Sequence, residues 1–359
     1  MSYQSLRRSL STATKLFRRS RKAALALQKQ AVKAVQPVTA KPKPVRARPT
    51  KAKPESLAPK SAAYLRPAAA RSPAVKDMNF KTCPFPTARG NRSYKLYGPD
   101  VAGPPVPRPL LIMLHGCSQS ADDFARATGM NRQADDMGFI VAYPTQTQQA
   151  NRNKCWNWYR PVDQGRGNTE PAMIVGMTRD IMAQHPVDRS RVYIAGFSAG
   201  GAAAVAIAAA YPGIYAAVGV HSGLPVGAAR AGLSALVAMQ AGSAGVQLSV
   251  PMPTIIFHGD DDAVVNPRNG RALAARAVAT FPALTKTVKN GKSAGMFHKT
   301  TYRGPNRKSC CEYWTIAGAG HVWSGGNPAE RFAQATGPDA SAEMVRFFLQ
   351  HRLAVAGID

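Results

Sequence analysis

Arg191-Val192-Tyr193-Ile194-Ala195-Gly196-Phe197-Ser198-Ala199-Gly200, followed by the alanine-rich run from Gly201 to Tyr211, decides the fold. The first five residues read as a buried strand. The run after Gly200 reads as a helix of small residues, with only Val205 and Ile207 larger before the closing tyrosine. Between them stands Gly-x-Ser-x-Gly, and strand, tight glycine turn and helix together make a nucleophile elbow, which predicts an α/β-hydrolase fold. A Cβ at either glycine would collide with the flanking strand or helix. The helix start behind Ser198 favours negative charge near its hydroxyl.

The five-letter string alone does not suffice, because Gly291-Lys292-Ser293-Ala294-Gly295 repeats it. That copy follows a charged stretch (Lys286, Lys289, Asn290), not a strand, and no helical run comes after it, so it reads as a loop. It also contains Gly-Lys-Ser, but a phosphate-binding loop needs glycine where Lys286 stands. Both functional readings of this copy are rejected.

Outward from the elbow, strand-like runs occur at Ser93–Tyr97, Leu110–Leu114, Phe139–Tyr143, Ala216–Val220, Thr254–Phe257 and Glu312–Ile316. Helix-like runs lie at Ala121–Met137, Glu170–Gln184, Asn269–Ala279 and Ala340–Arg352. Their alternation predicts a mainly parallel central sheet covered by helices on both faces. Pro225–Val250 fits the rhythm poorly and reads as an insertion or flap beside the site.

The 359 residues, 45% of them hydrophobic, suffice for one large domain. The formal charge of +28 is uneven: residues 1–76 hold one acid, Glu55, against 19 Lys and Arg. The segment Leu6–Val35 could form a basic amphipathic helix, whereas Val38–Pro54 is too proline-rich for regular structure. Residues 1–76 are therefore expected to be a largely disordered basic tail, and 77–359 the catalytic domain. No stretch is apolar and long enough to cross a bilayer. Arg7-Arg8 lacks the apolar core of an export signal, while the acid-poor start has the composition of an organelle transit peptide. Without a recognisable secretion signal the default is cytoplasmic, with secreted and organellar alternatives open. Five cysteines are too few for a disulfide scaffold and have no zinc-ligand spacing, so no metal is expected.

A serine nucleophile needs a base, and the base an orienting acid, in the chain order Ser, Asp or Glu, His. His321, between Gly320 and Val322 after the last strand-like run, reads as the base. His298 reads as part of a basic loop with no strand before it, His351 lies in a helical pattern, and His258 reads as structural. Asp260, Asp261 and Asp262 follow the strand ending at His258; Asp262 is preferred as the acid because Val264-Val265 can anchor its loop, with Asp260 its competitor. Oxyanion donors are expected at the backbone N–H of Ala199 and of Cys117, the latter in the loop Leu114-His115-Gly116-Cys117-Ser118. Whether Cys117 pairs with Cys155 depends on the compartment.

His115-Gly116-Cys117, Cys155-Trp156-Asn157-Trp158, Gly-Phe-Ser-Ala-Gly, His258-Gly259-x-x-Asp262-x-x-Val265 and His321-x-Trp323-Ser324-Gly325-Gly326, in this order, resemble the polyhydroxybutyrate depolymerase family of esterases. The resemblance covers about residues 90–352 and extends to feruloyl and acetylxylan esterases. It implies a serine hydrolase without cofactor, with Ser198, Asp262 and His321 as triad. Trp156, Trp158 and Trp323 then become candidate walls of a substrate groove, against the plainer reading of core packing. A second class of function is a binding protein whose basic tail attaches to nucleic acid or a granule surface. The sequence leaves the oligomeric state open.

Overall fold

The computed structural model describes residues 80–87, 90–98, 106–167, 169–292 and 295–354. The expected tail 1–76 lies outside them.

Twelve strands and seven α-helices follow one another along these residues. The strands are β1 (Lys81–Thr87), β2 (Gly90–Tyr97), β3 (Arg108–Leu114), β4 (Ile140–Pro144), β5 (Val187–Phe197), β6 (Ala217–His221), β7 (Thr254–Gly259), β8 (Thr285–Lys292), β9 (Met296–Arg303), β10 (Ser309–Ile316), β11 (Trp323–Ser324) and β12 (Ala333–Gln334). The helices are α1 (Ala121–Thr128), α2 (Met130–Met137), α3 (Glu170–Gln184), α4 (Ala199–Ala210), α5 (Gly232–Ala241), α6 (Arg268–Val278) and α7 (Ala340–Phe348).

Ten strands form one sheet in the order β1-β2-β4-β3-β5-β6-β7-β10-β9-β8. Its central six, β4 to β10, pair in parallel, and the two strands at each edge are antiparallel. The chain has the α/β-hydrolase fold. Central strands are buried on both faces, so side chains alternate between two cores. Leu110, Ile112, Val192 and Ile194 join α3, α4, α5 and α6 on one face. Leu111, Met113, Tyr193 and Phe197 join α1, α2 and α7 on the other.

The structure corrects several expectations. Gly129 adopts a left-handed conformation (φ 62°) and divides the expected helix Ala121–Met137 into α1 and α2. The second Gly-x-Ser-x-Gly copy does follow a strand: β8 carries Gly291 and Lys292, and β9 returns antiparallel to it. His298 accordingly sits on β9, not in a loop. These strands are polar because β8 is an exposed edge, where lysines discourage pairing with another chain. Lys299 on β9 reaches inward to the buried Glu312, at 2.8 Å, and lies over the Trp314 ring. Within the expected insertion 225–250 the structure forms α5.

Candidate active site

All the expected groups lie just beyond the C-terminal ends of parallel strands, where open α/β sheets place their ligands. Ser198 follows β5, Asp262 follows β7, His321 follows β10 and Cys117 follows β3. The elbow is held by backbone contact. A Cβ at Gly196 would lie 2.4 Å from Gly200 C, and one at Gly200 would lie 2.1 Å from Leu114 O. Ser198 is forced to φ 56° and ψ −119°, a conformation that costs on the order of 1–3 kcal/mol in a non-glycine residue and needs surrounding structure to hold it. The surroundings include α4, where every residue from Ala199 to Ala208 is buried. Its small side chains let the helix lie close to the sheet.

His321 Nδ1–H donates to Asp262 Oδ2 at 2.8 Å, leaving Nε2 to accept from Ser198 Oγ at 2.9 Å. The other carboxylate oxygen of Asp262 accepts from the N–H groups of Val264 (2.9 Å) and Val265 (2.8 Å). Burial pushes the Asp262 carboxyl up, but the imidazole of His321 and its hydrogen bond, with His258 and the Val265 N–H, hold it below the ordinary range. Asp260 does something else: it is exposed and accepts from Gly318 N–H at 2.7 Å, tying the Asp262 loop to the His321 loop. A Cβ at Gly259 would lie 2.1 Å from Ala319 O, so these loops touch through backbone.

On the oxyanion side, Ala199 opens α4, so its N–H belongs to the first turn, which has no intrahelical partner. The Cys117 loop is pinned by Gln119 Oε1, which accepts from Gly116 N–H at 2.9 Å, and by the Ser118 N–H bond to Asn153 O at 2.8 Å. Cys117 and Cys155 form a disulfide, with Cα atoms 4.3 Å apart, joining the loop after β3 to the loop after β4. Glu170, at the start of α3, fixes that second loop: it accepts from the Asn157 N–H, the Asn157 amide and the Gln146 amide at 2.6–2.8 Å. Burial raises its carboxyl despite these bonds.

Two histidines brace the hydrogen-bonded set Ser198, His321 and Asp262. His258 Nε2 donates to Val265 O at 2.8 Å and stands 3.5 Å from Asp262 Oδ2. His221 connects the Ser198 and His321 loops: its carbonyl accepts from Ser198 N–H at 2.9 Å, and its Nε2 accepts from Ser324 N–H at 3.1 Å. Burial drives the imidazole pKa of His221 well below the usual value, which keeps Nε2 an acceptor. Glu170, His221 and His258 thus hold the loops that carry Cys117, Ser198, Asp262 and His321. Only the strand-end position of His221 and His258 hinted at this in the sequence.

Residues 92–287, more than half of the chain, match the family described as Esterase PHB depolymerase. The chain belongs to this family. Poly(3-hydroxyalkanoate) depolymerase C of Paucimonas lemoignei is 32% identical over 234 residues, covering 61% of this chain and 56% of that protein. Feruloyl esterase B of Thermothelomyces thermophilus is 36% identical over 128 residues, covering 35% of this chain and 43% of that one. The chain spans about half the length of the curated relatives it matches. Among solved structures, an acetyl xylan esterase from Aspergillus awamori overlays with a TM-score of 0.59 at 16% identity, covering 75% of this chain and 99% of that one, a likeness of fold.

Within this PHB depolymerase-family frame the tryptophan reading needs correction. Trp156, Trp158 and Trp323 are 0%, 7% and 1% exposed, so they do not wall a groove. The indole N–H of Trp156 donates to His115 O, and that of Trp323 to Ser341 Oγ. Both bury an apolar body and spend the polar tip inside the protein.

Proposed function

We propose that this chain is a serine carboxylic-ester hydrolase acting on polyhydroxybutyrate or short hydroxyalkanoate oligoesters through an acyl-enzyme. The observation that carries the reading is the continuous hydrogen-bond chain from Ser198 Oγ through His321 to Asp262. Ser198 Oγ attacks the ester carbonyl carbon while His321 Nε2 takes its proton. The carbonyl oxygen becomes an oxyanion held by the N–H groups of Ala199 and Cys117. Collapse breaks the bond to the alcohol oxygen, which leaves with the proton from His321. Water, deprotonated by the same nitrogen, then hydrolyses the acyl-Ser198 ester to the acid and restores the serine. Asp262 stays ionised and orients the ring throughout. The proposed steps call on no cofactor.

Amorphous polyhydroxybutyrate, hydroxybutyrate oligomers, feruloyl esters and acetylated xylan, assayed beside Ser198→Ala, test the reading. Turnover of the first two above the others supports it, and preference for the last two would move the chain to the feruloyl or acetylxylan alternative. The composition of residues 1–76, 19 cations against one acid, favours a compatible second role: attachment of the enzyme to a polyanion such as nucleic acid or a charged granule surface.

A further inference from the structure

Residues 222–253, between β6 and β7, contain one charged side chain, Arg230, in a chain of formal charge +28. The helix within them, α5, is built inside out. Its buried positions are Ala235 and Ala238, whereas Leu233, Leu236 and Val237 are 60%, 42% and 58% exposed. A surface helix ordinarily turns its large apolar residues inward. Positions 233, 236 and 237 follow the i, i+3, i+4 spacing and so share one face.

The helix is held firmly with that face outward. Ser234 Oγ accepts from the N–H groups of Arg230 and Ala231, capping its start. The carbonyls of Ala238, Met239 and Gln240 accept from Asn269, Asn266 N–H and the Asn266 amide at 2.7–2.9 Å. Asn266 follows the Asp262–Val265 acid loop, so α5 sits at the active-site end of the sheet. Upstream, Gln164 bonds Ala229 O and joins the turn that exposes Val162 at 57%.

We infer that the outward face of α5 is an adsorption surface for solid, uncharged polyester, which brings ester groups to the neighbouring site; the inference rests on the ester-hydrolase reading above. Charge selects the partner: a segment with a single cation suits an uncharged apolar surface and offers little to an anionic membrane or nucleic acid. Size argues against a second copy of this chain. Three half-exposed aliphatic side chains present on the order of 300 Å², short of the roughly 800 Å² per partner of a stable interface. Weak, reversible adsorption needs no more than that, and it lets the enzyme move on after each cut.

The test uses the full chain carrying Ser198→Ala, so that adsorption is read without hydrolysis. Depletion from solution onto poly(3-hydroxybutyrate) film is measured in roughly 0.5 M NaCl, which screens the basic residues 1–76. Leu233→Ser/Val237→Ser is expected to weaken adsorption about tenfold, with an unchanged thermal midpoint. The same pair in the chain with Ser198 intact should leave kcat/KM on a soluble short-chain p-nitrophenyl ester within about twofold of the parent. Leu236→Ser provides an independent variant of the same face. Unchanged adsorption overturns the inference, as does a parent that does not adsorb, or a dimeric parent that the substitutions render monomeric. Should adsorption fall as expected while the parent hydrolyses no ester, the surface stands and the hydrolase reading falls.

Discussion

The chain spells Gly-x-Ser-x-Gly twice, and the two copies live in opposite surroundings. At 196–200 every residue is buried, and the glycines face backbone: Gly200 C and O beside Gly196, and the Leu114 and His115 carbonyls beside Gly200. At 291–295 the first two residues end β8, Gly291 faces the tip of the Phe297 ring, and Gly295 is exposed; residues 293–294 lie outside the described part. The first string turns a parallel strand into a helix, whereas the second belongs to a connection between antiparallel strands. In the first copy both glycines press against backbone and the serine hydroxyl bonds to a histidine, and that setting, not the five letters, sets it apart.

The difference can be broken most directly at the serines. Ser198→Ala should abolish ester hydrolysis, by about 10⁶-fold in kcat if the triad acts as a unit, while Ser293→Ala should match the parent. A phosphonate inhibitor located by peptide mass should label Ser198 alone. Similar losses at both serines would end the elbow assignment.

Next in size is the acid. Asp262→Asn should lower kcat by about 10²–10⁴-fold, because the ring loses the carboxylate that fixes its tautomer. Asp260→Asn removes only the bond to Gly318 and should cost far less; kinetics in the reverse order would exchange the two roles.

The glycines sharpen the contrast in stability. Gly200→Ala places a Cβ 2.1 Å from a main-chain oxygen that cannot retreat, and urea unfolding should show a loss of about 3 kcal/mol or more. Gly291→Ala meets Phe297 Cζ at 2.2 Å, the far end of a side chain that can turn, and should cost roughly 1 kcal/mol.

The smallest effect on turnover is expected from removing residues 1–76. We propose that a chain starting at Asp77 keeps its kcat on soluble esters, since every proposed catalytic group lies beyond residue 110. It should lose DNA binding that, in the full chain, weakens steeply with added salt. Salt titrations of both chains check this, and equal affinities would mean that the tail is not the polyanion-binding element.

The central sheet was legible in the sequence because parallel strands covered on both faces must be apolar throughout. Leu110–Leu114 and Thr254–Phe257 advertise themselves in this way. Ser93–Tyr97 was read within β2, but the two outermost strands were not legible. β1 carries Pro84 and Pro86, which an edge strand tolerates, and β8 exposes nearly every residue, so neither shows the apolar run that marks an inner strand. For α5 the period itself fails, with alanine inward and leucine outward. At the site, the spacing of Ser198, Asp262 and His321 follows from strand order and could be read. Glu170, His221 and His258 act through contacts that only folding creates. The tryptophans misled because an aromatic near a catalytic motif looks the same in sequence whether its ring meets substrate or core.

The double attachment of His221, by its carbonyl to Ser198 and by its ring to Ser324, has a consequence for anyone surveying tolerated substitutions. Replacing it would shift serine and histidine together. It should therefore score as intolerant as the triad, although it never touches the ester. A ranking of positions by mutational sensitivity would set His221 beside Ser198, Asp262 and His321, and only the hydrogen-bond map tells the scaffold bolt from the three proposed reagents.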